Sequence, residues 1–224
     1  MTPYARDLTK QALDLIETSR YRLGVSRFIT QFIDHWAFQQ TGLYPPSEEM
    51  PNELGQTACE ISHLLSAAMN ADPTSDILGY VLSESGFYKQ GTQFYPTPPE
   101  VARLMALMTF DEPQQDGLHF YEPCCGTGIN TIVWLERLLE SRGPEGIAEA
   151  KLYLEDIDRL MVKGCMLQLM HYFESRQVSP ALMSIVALNT ISRQPSGVAY
   201  YAEQTQKSMA TGEEKASVPV AKAS

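Results

Sequence analysis

The order of apolar and polar positions changes character once along the chain. Through residues 4–40, Leu13, Ile16, Tyr21, Phe28, Ile29, Phe32, Ile33 and Trp36 recur at helical intervals, and the repeat is interrupted near Gly24. This spacing lines one face of a helix, so two helices are predicted there, broken at the glycine. A proline-rich connection, TGLYPPSEEMPNE, follows, and helical spacing resumes over 54–69 and 76–83. Residues 1–86 are therefore predicted to form an all-helical N-terminal region.

From Phe87 the texture differs. The aromatic loop FYKQGTQFYPT leads into a helix over 98–108, where Pro98 and Pro99 suit a first turn whose N–H groups have no intrahelical partner. Residues 118–121 read as a buried strand, 130–139 as a helix and 151–155 as a second strand. Asp158 is placed to cap a further helix, in which Val162, Cys165, Met166, Leu169, Met170 and Phe173 form an apolar stripe. MSIVALNTI at 183–191 reads as a third strand. Strand, helix, strand, helix, strand is the first half of a doubly wound α/β sheet, so 87–195 is predicted to be a partial Rossmann-like α/β domain. Past Ser196 the chain is rich in Ala, Ser, Thr, Lys and Glu without periodicity, and 196–224 is predicted to be a disordered tail.

Charge narrows the choice of partner. The chain carries 17 basic and 27 acidic residues, a net −10, and between Arg27 and Lys89 there is no Lys or Arg. That stretch repels phosphate, so a DNA-binding role needs its positive surface elsewhere, for example at Arg20, Arg22 and Arg27. The four cysteines and four histidines show no metal-ligand spacing, and no metal is expected. No segment approaches the ~18 apolar residues of a membrane span, and MTPYARDLTK has no apolar signal region, which predicts a cytoplasmic protein without a membrane partner.

The chemistry concentrates in FYEPCCGTGIN at 120–130, a strand running into a glycine turn and then a helix. In a doubly wound sheet, ligands bind beyond the C-terminal strand ends, and here both ends are acidic: Glu122 closes the first strand, Glu155 and Asp156 the second. A carboxylate at the second strand's end accepts hydrogen bonds from a ribose. A carboxylate before the glycines suits an ammonium better than a pyrophosphate. Ribose plus ammonium describes S-adenosylmethionine.

FYEPCCGTGIN resembles the cofactor-binding motif of DNA amino-methyltransferases, and KQGTQFYPTPPEVARLMALM resembles the segment preceding it in adenine-N6 enzymes. Among these are the methylation subunits of type I restriction-modification systems and, a closer likeness, small methyltransferase-like proteins of plasmids and phages, which also offer an analogue of LYLEDIDRLMVKGCMLQLMHYF. The resemblance spans roughly 76–192 and implies an S-adenosylmethionine-dependent methyltransferase sheet acting on adenine in DNA. It implies that Phe94, Tyr95 and Thr97 flank the methionine part of the cofactor and that Glu122 binds its ammonium. Pro123, Cys124, Gly126 and Gly128 would then wrap it, Asp156 would hold the ribose with Glu155 as a neighbour able to exchange roles, and Ile157 would pack on the adenine.

The likeness stops short of catalysis. The family's residue-Pro-Pro-aromatic motif, which holds the flipped adenine, is absent after Glu122, and the Pro-Pro pairs at 45–46 and 98–99 lack its flanking residues. No catalytic residue is assigned. The expected function is an adenine-N6 DNA methyltransferase-like protein, incomplete or completed by a partner protein. The alternative is a non-catalytic S-adenosylmethionine-binding regulator or anti-restriction protein, with the acidic 28–88 segment as a protein-binding or DNA-mimicking face.

Overall fold

A computed structural model describes residues 1–87, 95–110 and 118–204. Four helices come first: α1 (Pro3–Thr18), α2 (Val25–Thr41), α3 (Asn52–Ala71) and α4 (Ile77–Glu84). Gly24, at φ 82°, makes the break between α1 and α2 that an L side chain resists. Tyr21 lies in that break, 96% exposed, rather than on the apolar face expected for it.

Next come α5 (Pro99–Thr109), β1 (Leu118–Glu122), α6 (Ile129–Glu149), β2 (Ala150–Asp156), α7 (Arg159–Arg176), β3 (Leu182–Asn189) and β4 (Gln194–Glu203). The architecture is α/β, a four-stranded mixed sheet in the order β1-β2-β3-β4 with helices packed around it. β1, β2 and β3 are parallel, and β4 returns antiparallel to β3, with a register shift between Val186 and Leu188. Among the described residues no helix is long and apolar enough to cross a membrane.

Two expectations are corrected. Residues 194–203 form a strand rather than the start of a disordered tail, because Val198 and Tyr200 point into the core while Ala199 and Tyr201 point out. Pro195 and Gly197 mask that period-two alternation in the sequence. β1 is an edge strand rather than a fully buried one: His119 and Tyr121 are exposed, and Leu118 and Glu122 face in.

α7 is the centre of the molecule. Leu160 through Leu169 are all buried, because α7 lies between the sheet and helices α2, α3 and α4. A helix covered on both sides is apolar all round rather than striped. Even its buried cation is paired, Lys163 Nζ donating to Asp34 Oδ1 of α2 at 2.7 Å. One continuous core runs from Ala5 in α1 to Tyr200 in β4, so the helical region and the sheet share it.

Candidate functional site

The chain leaves β1 at Glu122 and turns through residues 123–128 before α6 begins. The Cys125 N–H donates to the Glu155 carbonyl at 2.8 Å, and the Gly128 N–H donates to the Cys125 carbonyl at 2.8 Å, folding the turn over the end of β2. Gly128 is required twice over. Its φ is 98°, and a Cβ there would lie 3.0 Å from Cys165 Sγ on α7.

This turn forms one wall of a cleft of about 690 Å³, within the usual range for small-molecule sites. Asp156 is oriented within it by two backbone donors: Oδ2 accepts from the Gly126 N–H at 2.9 Å and Oδ1 from the Asp158 N–H at 2.9 Å. Asp158 in turn caps α7 by accepting from the Leu160 N–H at 2.8 Å. Glu155, its neighbour, is turned away and engaged. Arg193 donates to both its oxygens, at 2.7 and 2.9 Å, and Tyr121 Oη donates at 2.9 Å. Of the two acids that close β2, Asp156 lines the cleft.

Glu122 occupies a second groove, of about 510 Å³, between β1 and α5. Cys124 and Asn130 line both spaces, so the two adjoin. Asn130 Nδ2 donates to Glu122 Oε1 at 2.8 Å and Thr131 Oγ1 to Oε2 at 2.7 Å. Burial nonetheless pushes the Glu122 carboxyl up to about 7, with the nearby Asp156 charge adding to the effect. Asp156 is pushed up as well, chiefly by burial, and the Cys124 thiol is raised by burial and then by Asp156, Glu122 and Glu155. The turn therefore sits in a negative field. Asn130 Oδ1 is buried without a partner, an acceptor still open to a donor.

The cleft brings together Tyr95, Thr97, Cys124, Gly126, Asp156 and Ile157 of the expected residues. Glu122 and Pro123 line the adjoining groove, Gly128 packs toward Cys165, and Phe94 lies outside the described residues. Asp76, Thr127 and Gln168 are not among the expected residues. Thr127 Oγ1 donates to Asp76 Oδ2 at 2.8 Å, while Gln168 Nε2 donates to Asp76 Oδ1 at 2.9 Å and to the Thr127 carbonyl at 2.6 Å. Asp76 also caps α4 through the Gly79 N–H. The glycine turn is thus tied to the helical region. Thr127 inside the motif, and a capping Asp before α4, were the available signals, but only the fold brings 76, 127 and 168 together.

The basic cluster expected as a phosphate surface is occupied internally. Arg20 pairs with Glu17, Arg22 with Glu53 at 3.0 Å, and Arg27 with Glu48 at 2.8 Å. Several acids of 28–88 are likewise engaged within the chain. Besides Glu48 and Glu53, Asp34 holds Lys163, Asp72 accepts from the Thr2 N–H, and Asp76 holds Thr127. Compared with known proteins, the chain matches no protein-family model, no curated protein and no solved structure.

Proposed function

We propose that the chain binds S-adenosylmethionine in the 690 Å³ cleft and serves as the cofactor-holding part of an adenine-N6 DNA methyltransferase. The observation that carries this reading is the Asp156 carboxylate, oriented by the Gly126 and Asp158 N–H groups at the end of β2 and facing a cleft whose field is negative. Each oxygen retains a lone pair for a ribose hydroxyl. A sulfonium and an ammonium are favoured by that field, and a pyrophosphate is not. Glu122, reached through the adjoining groove, supplies the countercharge for the ammonium, and Asn130 Oδ1 supplies a further acceptor. Ile157, 65% exposed at the rim, offers an apolar surface for a purine. When bound, the cofactor supplies an electrophilic methyl group. The residues here bind and orient it, and the adenine-holding element must come from outside the described residues or from another polypeptide.

A second reading, a non-catalytic binder of the same cofactor, is favoured by one observation. The fourth strand lies antiparallel beside β3, not beyond β1 where the second half of a doubly wound sheet continues. A DNA-mimicking face is weakened by Asp34, Glu48 and Glu53, three of the acids of 28–88, each of which pairs with a cation of the same chain. Transfer of labelled methyl from S-adenosylmethionine to adenine-containing duplex DNA separates the two readings. Incorporation at adenine N6 supports the first, and cofactor binding without incorporation supports the second.

A further inference from the structure

The chain treats the two edges of its sheet differently. At the β4 edge, Tyr44 Oη donates to the Ala199 carbonyl at 2.8 Å and accepts from the Ala199 N–H at 3.0 Å, taking groups that another strand would use. Tyr44 does this from a positive φ of 58°, and Pro195 removes a further donor from the same strand. β1 has no such cover: among the described residues no strand pairs on its side away from β2. Its sequence, LHFYE, contains neither the Pro nor the Lys that blunts exposed edges.

Beside that open edge lies a helix with its small residues inward. α5 packs Ala102 and Ala106 against Ile129 and Val133 of α6. Val101, Leu104, Leu107 and Met108 face outward, at 44%, 56%, 59% and 77% exposure. Val101, Leu104 and Met108 fall within one quadrant of the helix, with Leu107 flanking it, opposite the two buried alanines. Single exposed apolar residues are ordinary, but a whole helix face beside an unpaired strand is a contiguous patch.

We infer that this face is the contact between two copies of the chain, with the β1 strands paired antiparallel and the α5 helices packed on each other. A two-fold axis through the edge requires that antiparallel pairing, and it joins two four-stranded sheets into one of eight. Charge selects this face for self-association. Two copies each carrying −10 repel over most of their surface, but α5 bears one acid, Glu100, and one base, Arg103, a single turn apart. The groove holding Glu122 opens between α5 and β1, so the second copy forms its outer wall beside the cofactor cleft.

Sedimentation of the full chain across the micromolar range, with amide hydrogen exchange on the same samples, tests this contact. A dimer is expected, with the 119–121 amides protected. The double substitution Leu104→Glu, Met108→Glu should weaken it by about a hundredfold and expose those amides. Both positions are more than half exposed, so the circular dichroism spectrum should be unchanged. Ile191→Glu, at an equally apolar position 96% exposed in the β3–β4 turn, should leave the dimer intact. A monomer at every concentration overturns the inference and leaves the β1 edge to a polypeptide of different sequence. So does a dimer that tolerates the α5 substitutions or that Ile191→Glu disrupts equally.

Discussion

Replacing Glu122 by Gln isolates the cost of holding a carboxylate in the groove beside β1. Glu122 is 7% exposed, and its carboxyl lies at about 7 against an ordinary 4.5, mainly because burial penalises the charge. A rise of that size corresponds to about 3 kcal/mol of folding free energy at alkaline pH. The folded state holds the proton more tightly than the unfolded chain. The carboxyl's contribution is therefore fully present below pH 4.5 and is lost as pH rises through about 7. Glutamine keeps an acceptor for Asn130 Nδ2 and a polar group for Thr131 Oγ1 but never ionises. Thermal unfolding at pH 5 should thus give nearly equal midpoints. At pH 8 the variant should be more stable by about 3 kcal/mol, a rise of roughly 6–12 °C for a chain of this size. The same variant should bind S-adenosylmethionine more weakly, and the native protein should release a proton on binding near pH 6.5, because an ammonium favours the ionised carboxylate. A midpoint difference that stays constant from pH 5 to pH 8 would refute the reasoning. Gained stability together with lost affinity in the variant would mark Glu122 as a group kept for binding rather than for the fold.

Three further substitutions probe the cleft and its supports. Asp156→Ala should raise the S-adenosylmethionine dissociation constant by about 10²–10³-fold, the effect of removing the two charge-assisted hydrogen bonds proposed to the ribose, and should cost about 1–2 kcal/mol because the Gly126 and Asp158 N–H groups lose their acceptor. Calorimetric titration and thermal unfolding measure the two effects. Thr127→Val removes the donor to Asp76 while leaving the α4 cap in place. Cofactor affinity should fall about tenfold and Thr127→Ser should restore it, as the hydroxyl and not the methyl anchors the turn. Lys163→Met should lower stability by about 2 kcal/mol in urea unfolding, less than for a fully buried pair because the Asp34 side chain keeps 24% exposure.

What the sequence made legible follows from periodicity. Helices α1 to α4 and the strands at 118–122, 150–156 and 182–189 announce themselves because each buries a face with a regular repeat. Asp158 as the cap of α7 and Asp156 in the cleft are also readable, since capping and strand-end positions are local properties. β4 was hidden because Pro195 and Gly197 outweigh the short alternation at Val198 and Tyr200. The roles of Glu155 and Arg193 were hidden for a different reason. Their pairing depends on the turn after β3 folding back over β2, a contact between residues 38 positions apart. The same holds for Asp76 and Gln168, 92 apart, and for the three arginines near residue 20, whose partners include Glu48 and Glu53 beyond α2. Net charge describes a chain, and only the fold says which charges remain free.

Isothermal titration of the full chain with S-adenosylmethionine, with S-adenosylhomocysteine as competitor and Asp156→Ala beside it, decides whether the cleft holds this cofactor. Micromolar binding by the native chain, displacement by the competitor and no measurable heat with the variant are expected. Absence of heat with native protein, or equal binding by Asp156→Ala, would contradict cofactor binding in this cleft.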